Sequence, residues 1–231
     1  MTKRFGRRSA VKSLVLNLKN YPESSGANAV QFAKAAAGAK AEGCEAIVCP
    51  PQLQLEGVCR AVAGTTIFSQ HADAATPGKT TGAITLEALK QAGASGTLLN
   101  HSERKVSLQH AEFVCNKARE LQMRVVACAD SVEKGIELAR FSPWAVAVEP
   151  PELIGTLRSV SNENPQIVTD AVKRVKAANP GVLVFVGAGV ANANDCAKCI
   201  ELGADGALVA TAFVIAKDKT RFVQECLNAM A

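Results

Sequence analysis

Four polar side chains stand directly at the ends of apolar runs that predict buried strands. Asn17 and Lys19 follow SLVL, His101 follows GTLLN, and Glu149 ends WAVAVE. Carboxylates and imidazoles transfer protons, while ammonium and amide groups stabilise developing negative charge. Taken singly, such residues are usually solvated, packed or capping groups. If the strands bring them to one place, they form a candidate catalytic site.

The elements that would position these residues follow a regular alternation. Eight short runs rich in Val, Ile, Leu and Ala are continuous in hydrophobicity, which is typical of parallel strands covered on both faces. Helical patterns lie between the runs, as in VSLQHAEFVCNKAREL, where apolar residues recur at helical spacing. The eight runs are SLVLNL, CEAIVC, TTIFSQ, GTLLN, RVVACA, WAVAVE, VLVFVG and GALVA.

Eight strand and helix units in 231 residues, with no linker between them, predict a single-domain α/β fold, the (β/α)8 or TIM barrel. A doubly wound sheet would need fewer strands and usually has a G-x-G-x-x-G turn, which is absent. In a barrel, the chemistry lies where the C-terminal ends of the strands meet. We therefore expect Asn17, Lys19, His101 and Glu149 to converge there, beside glycines suited to a phosphate.

Composition and charge exclude two classes of partner. No run of eighteen apolar residues is present, so we expect no membrane span. The net charge of +5 comes from the N-terminal segment, and the other 21 basic residues balance 21 acidic ones, which argues against a nucleic-acid surface. We predict a basic tail over residues 1–12 and a catalytic domain over residues 13–231. The five basic residues of the tail are Lys3, Arg4, Arg7, Arg8 and Lys12.

The segment RRSAVKSLVLNL raises the question of an export signal, but its apolar part is short and no A-x-A cleavage site follows.

The eight cysteines lie mostly within apolar elements, which favours buried, reduced thiols and a cytoplasmic protein. Cys196 and Cys199 have metal-ligand spacing, yet no second pair completes a site. We therefore expect helix packing for this pair, and neither a metal nor another cofactor.

Six motifs identify the family that the chain resembles. NLKNYPESSG, SQHADAATPGKTTG, GTLLNHSERK, AVEPPELIGT, FVGAGV and LVATAF occur in this order and cover nearly the whole chain. They closely resemble triosephosphate isomerases, in particular the compact archaeal type. The resemblance implies interconversion of dihydroxyacetone phosphate and D-glyceraldehyde 3-phosphate through an enediolate, in glycolysis and gluconeogenesis, without a cofactor. It also implies a homo-oligomer, either a dimer or a tetramer.

The resemblance further implies a role for each site residue. Glu149 would be the base that removes a proton next to a carbonyl, and His101 the electrophile. Lys19 would be a cation near the oxyanion and the phosphate, and Asn17 would donate a further hydrogen bond. Glu103 would either position Lys19 or serve only at the surface. The residues expected to bind the phosphate through backbone N–H groups are Gly155, Gly187, Gly189, Ala210 and Thr211.

The chain departs from the family pattern in two loops. In the lid, residues 150–158, it has IGTL where relatives usually have IGTG, so that Leu157 replaces a glycine. After the last strand it has Ala210, Thr211 and Ala212 where archaeal relatives tend to have ASG. If the family residue has a positive φ at either site, the replacement carries strain. Lid closure and phosphate affinity are the properties affected.

Two other classes of function stay open from the residues alone. A metal-dependent sugar-phosphate epimerase would use His71, Asp73 and Asp130, although it would want a second histidine. A Schiff-base aldolase would rest on Lys19 alone. These two enzymes form the first class, other sugar-phosphate enzymes. The second class is a barrel that binds a phosphorylated ligand without turning it over.

Overall fold

The computed structural model describes residues 11–231. Eight parallel strands pair in sequence order, and β1 also pairs with β8, so that the sheet closes into a barrel. The prediction of a (β/α)8 barrel is confirmed. The strands are β1 Lys12–Asn17, β2 Cys44–Cys49, β3 Thr66–Ser69, β4 Gly96–Leu99, β5 Arg124–Ala129, β6 Ala145–Val148, β7 Leu183–Val186 and β8 Gly206–Val209.

Helices surround the barrel and connect each strand to the next. The α-helices are α1 Asn28–Gly38, α2 Leu55–Ala61, α3 Leu86–Gln91, α4 Leu108–Glu120, α5 Val132–Ala139, α6 Val160–Glu163, α7 Pro165–Ala178, α8 Ala193–Glu201, α9 Thr211–Ile215 and α10 Lys219–Met230. Short 3-10 helices follow β1, β2 and β6, at Pro22–Ser24, Gln52–Gln54 and Pro151–Leu153. None of the helices within residues 11–231 has the length and apolar character that a membrane crossing needs.

The core has two layers because side chains alternate between the two faces of each strand. Leu14 and Leu16 belong to the larger layer between the strands and the helices. Val15, between them, belongs to the layer inside the barrel, together with Phe68 and Phe185. Both layers are buried, which explains why most strand positions are apolar in the sequence.

The N-terminal end of the barrel is closed by one arginine. The Arg124 guanidinium lies over the ring of Phe68 at 5.0 Å and over that of Trp144 at 4.5 Å, and its Nη1 lies 2.7 Å from Glu45 Oε1. Stacking and ion pairing satisfy this charge where it is partly withdrawn from water. The contacts of Arg124 therefore stabilise this end of the barrel, and the candidate site lies at the opposite end.

The predicted boundary between tail and barrel falls at the start of the first strand. Lys12, which we assigned to the tail, is the first residue of β1 and pairs with Cys44. Lys3, Arg4, Arg7 and Arg8 lie outside the described residues, so the basic tail stays a prediction.

Candidate active site

The C-terminal ends of three strands bring three of the four predicted catalytic residues to one cavity. Lys19 lies two residues beyond β1, His101 two beyond β4, and Glu149 directly after β6. All three line one cavity at this end of the barrel. Asn17 lines a neighbouring cavity, together with Lys19 and His101.

Glu149 is a buried carboxylate, with 4% of its surface exposed. Its backbone N–H donates to the carbonyl of Ala129 at 2.8 Å, which fixes the main chain where β6 ends. Oε1 lies 3.9 Å from Nε2 of His101. Oε2 is buried and has no hydrogen-bond partner among the described residues. A carboxylate with so few partners is available to accept a proton.

Two neighbours of this carboxylate, Gly187 and Cys128, leave it room and carry no charge. A Cβ placed on Gly187 would lie 2.6 Å from Glu149 Oε1, so only glycine fits beside it. The N–H of Gly187 already donates to the carbonyl of Val148 at 3.1 Å. On another side, burial, followed by the Glu149 charge, raises the pKa of Cys128 well above its usual range, so that this thiol stays neutral.

His101 is oriented by the residue before it. Asn100 has a φ of +58°, a left-handed conformation that asparagine tolerates better than most residues. Its amide nitrogen donates to the carbonyl of Cys128 at 2.9 Å, and its Oδ1 accepts from the N–H of Val106 at 2.9 Å. These bonds tie the end of β4 to β5 and turn the chain so that His101 faces the cavity.

The hydrogen bond at Nδ1 determines the tautomer of the His101 ring. Nδ1 accepts the backbone N–H of Glu103 at 3.2 Å. The neutral imidazole must therefore carry its proton on Nε2, the nitrogen that lies toward Glu149. His101 presents a neutral N–H donor to the cavity.

Lys19 is held by its backbone and by a carboxylate. Its φ is +49°, and its N–H donates to Asn17 Oδ1 at 3.0 Å. Nζ lies 2.6 Å from Glu103 Oε1, and the Lys19 side chain is 11% exposed. Asn17 thus contacts the site through the main chain of Lys19, and Glu103 contacts its ammonium group. Of the two interpretations of Glu103, the structure supports the one in which it positions Lys19.

Residues from three loops line the part of the cavity that is expected to hold the phosphate. Gly155 of the lid, Gly189 after β7, and Ala210 and Thr211 after β8 line it. Gly187 is not among the described residues that do so. A Cβ on Gly189, which has a φ of +72°, would overlap the carbonyl of Arg158. The loop after β7 therefore packs directly against the end of the lid.

Leu157 has the strained conformation that the sequence comparison predicted. Its φ is +59°, and 44% of its surface is exposed while it lines the same cavity. A side chain with a Cβ is disfavoured there by about 1–2 kcal/mol. Ala210 has a φ of −128°, and Thr211 and Ala212 belong to α9. The second departure therefore involves no left-handed residue.

Of the three residues considered for an epimerase metal site, two pair with each other and the third pairs with a lysine. His71 Nε2 lies 2.9 Å from Asp73 Oδ1, and Asp130 pairs with Lys105. Cys196 and Cys199 are buried against the core. Within residues 11–231, no three His, Cys, Asp or Glu side chains are grouped as metal ligands.

Comparison with known proteins gives one family. The family model described as "Triosephosphate isomerase" matches residues 12–226. The triosephosphate isomerase of Caldivirga maquilingensis is 44% identical over 90% of this chain and 92% of its own length. Those of Methanothermus fervidus and Methanopyrus kandleri are each 39% identical, over 94% and 95% of this chain and 98% of their own lengths. The chain therefore belongs to the triosephosphate isomerase family.

Proposed function

We propose that Glu149, His101 and Lys19 catalyse the interconversion of dihydroxyacetone phosphate and D-glyceraldehyde 3-phosphate, the reaction of the family to which the chain belongs. The observation that carries this proposal is the arrangement of the three side chains around one cavity. A buried carboxylate oxygen stands 3.9 Å from an imidazole nitrogen that carries a proton, with an ammonium group in the same wall.

The first step is removal of a proton. The Glu149 carboxylate takes it from the carbon next to the substrate carbonyl, and the electron pair of the C–H bond moves into a new carbon–carbon double bond. The carbonyl oxygen gains the negative charge, giving an enediolate. Burial supports this step because a carboxylate without a water shell needs no desolvation when it meets a C–H group.

The second requirement is stabilisation of the negative oxygen. Nε2–H of His101 is a preorganised donor, since its direction is fixed by the bond at Nδ1. Lys19 adds a positive charge whose position is fixed by Glu103 and, through the backbone, by Asn17. The hydroxyl proton then passes from its own oxygen to the former carbonyl oxygen, and the Glu149 carboxylic acid returns its proton to the former carbonyl carbon. The first oxygen becomes the new carbonyl, which completes the isomerisation.

The phosphate binds at the other end of the cavity. We assign it to the backbone N–H groups near Gly155, Gly189, Ala210 and Thr211, because a phosphate accepts hydrogen bonds and these residues line the cavity. Gly187 contributes differently from its first assignment, by leaving space for Glu149. The proposal needs no cofactor, since the base, the donor and the cation are all side chains.

Two further expectations rest on family membership. We expect a homo-oligomer, either a dimer or a tetramer. We also expect a cytoplasmic enzyme that acts in glycolysis and gluconeogenesis. Sedimentation of the purified full chain measures the number of subunits. The division into a basic tail and a catalytic domain likewise stays a prediction, which removal of residues 1–10 would test.

The proposed function is tested by following glyceraldehyde 3-phosphate in a coupled assay, with and without a chelator. We expect fast isomerisation that the chelator leaves unchanged. Loss of activity on chelation would instead support a metal-dependent epimerase. Binding of the phosphorylated substrate without turnover would indicate a binding barrel, and either result would overturn the proposal.

A further inference from the structure

The chain's single tyrosine contacts the predicted phosphate end of the cavity. Tyr21 Oη lies 3.0 Å from Thr211 Oγ1, although the two residues are 190 positions apart in the sequence. Tyr21 comes two residues after Lys19, and Thr211, two residues beyond β8, lines the cavity. The contact therefore joins the loop that carries the catalytic lysine to a loop that faces the phosphate.

Tyr21 is held firmly enough to position another residue. Its carbonyl accepts from the hydroxyl groups of Ser24 and Ser25, at 3.3 and 2.8 Å, and from the N–H of Ser24 at 3.1 Å. Its ring packs against the apolar core. A phenol has one rotatable hydrogen, so a fixed ring places its hydroxyl within narrow limits.

Among the described residues, Tyr21 is the one hydrogen-bond partner of the Thr211 hydroxyl. Thr211 is the first residue of α9, and the residue before it, Ala210, has no side chain that could cap the helix. A threonine hydroxyl carries one hydrogen and two lone pairs, and either oxygen of the pair can donate. Without a partner, this hydroxyl could turn a lone pair toward the cavity.

A phosphate in the cavity selects one direction for the bond. Phosphate oxygens are acceptors, so a threonine lone pair facing them is repelled, whereas a threonine O–H is attracted. When the phenol O–H of Tyr21 donates to Thr211 Oγ1, the hydrogen of Thr211 is free to point into the cavity. The phenol is also the more acidic of the two hydroxyls, which favours it as the donor.

We propose that Tyr21 is a positioning residue, which orients the Thr211 hydroxyl as a donor to the substrate phosphate. This inference rests on the proposed function, because it takes the phosphate to lie beside Thr211. Tyr21 favours phosphorylated ligands over their unphosphorylated analogues, and it does so without touching the reacting carbons. Its effect falls on the binding of the phosphate group.

The test compares Tyr21→Phe, Thr211→Val, the double variant and Thr211→Ser. Tyr21→Phe keeps the packed ring, Thr211→Val keeps the β-branched shape, and Thr211→Ser keeps the hydroxyl. The readouts are KM and kcat for glyceraldehyde 3-phosphate and the dissociation constant of inorganic phosphate, measured by calorimetry. The thermal midpoint of each variant shows that it is folded.

Loss of one hydrogen bond to an anion corresponds to about a threefold to tenfold weaker binding. We expect this change in KM and in the phosphate dissociation constant for Tyr21→Phe and for Thr211→Val, with the loss in KM exceeding any loss in kcat. The double variant should bind no worse than Thr211→Val alone, and Thr211→Ser should bind phosphate within about twofold of the unchanged chain.

Two results would overturn the inference: a folded Tyr21→Phe variant with unchanged phosphate binding, or losses that multiply in the double variant. Failure of the proposed function looks different, because the unchanged chain would then show no isomerase activity. The calorimetric measurement does not need activity, so the two failures are separated.

Discussion

Gly187 leaves the space that the Glu149 carboxylate occupies: a Cβ on residue 187 would lie 2.6 Å from both Cγ and Oε1 of Glu149. The two residues come from neighbouring strands, since Glu149 follows β6 and Gly187 follows β7. The position of the proposed base is thus determined in part by the absence of a side chain next to it.

Gly187→Ala should lower kcat by about tenfold to a hundredfold. The added methyl group displaces the carboxylate, and misplacement of a reacting group by about 1 Å can cost a factor of 10². Steady-state kinetics on the folded variant measures the effect. Gly57→Ala is the matched control because a Cβ there meets nothing within 4 Å. Equal kcat values for the two variants would contradict the assigned role of Gly187.

Leu157→Gly should lower KM by about twofold to fivefold. Glycine adopts a positive φ without the cost of about 1–2 kcal/mol that leucine carries, and its greater freedom when the lid is displaced offsets part of this gain. The lid arrangement seen here, in which residue 157 lines the cavity, is therefore favoured. Leu157→Ala is the control, since it removes the side chain but keeps the Cβ. If both variants show the same KM, strain at residue 157 does not affect the lid.

The stability of the protein should fall between pH 7 and pH 5 because of His71. Burial lowers the pKa of His71 below its usual value, more than Asp73 raises it, while Arg104 and His110 lower it further. The unfolded chain then binds a proton near pH 6.5 that the folded chain does not, so stability decreases as pH falls below that value. The slope is at most about 1.4 kcal/mol per pH unit for this one group.

The change is measured as the free energy of unfolding in urea at pH 7, 6 and 5. In His71→Gln the slope between these values should be smaller, whatever the absolute stability of the variant. Asp73 affects the stability at a lower pH than His71 does. Burial would raise its pKa, but the N–H of Ile84, His71 and Arg104 hold it below the ordinary value, so its contribution is lost only on further acidification. An unchanged slope in His71→Gln would show that another group titrates.

At most two of the eight thiols should react quickly with a disulfide reagent at pH 8. Cys44 and Cys59 are half-buried and the other six are buried. Burial raises the pKa of Cys115 and of Cys199 to about 12, so their reactive thiolate forms are scarce. Counting released thiolate spectroscopically should give no more than two thiols in the folded chain and eight in denaturant. The double variant Cys44→Ser, Cys59→Ser should give none; fast reaction of a third thiol would contradict the described packing.

The barrel was predictable because its strands are buried on both faces. RVVACA and CEAIVC coincide with β5 and β2, since a strand between two apolar layers is apolar at most positions. The convergence of Lys19, His101 and Glu149 followed from the same rule, as each stands at a strand end. Leu157 was foreseen because a backbone position that suits glycine retains its conformation when the residue changes.

Other features depend on contacts between distant segments and leave no local pattern. The hydrogen bonds from Asn100 to Cys128 and Val106 join distant parts of the chain. The tolerance of asparagine for a positive φ is the one feature of the sequence that is related to them. The contact between Tyr21 and Thr211 spans nearly the whole chain. The space beside Glu149 is a property of the packing of β6 against β7, so the sequence suggested a phosphate-binding role for Gly187 and not this one.

The central claim is that the Glu149 carboxylate removes the substrate proton, and Glu149→Gln tests it most directly. The amide keeps the size of the side chain but cannot accept the proton, and a positioned base typically contributes a factor of about 10² to 10⁴. The measurement is kcat of the folded variant with glyceraldehyde 3-phosphate, beside the unchanged chain and Glu152→Gln, a matched change in the lid at an exposed position. The account predicts a loss of at least about a hundredfold for Glu149→Gln alone; a kcat near that of the unchanged chain would contradict it.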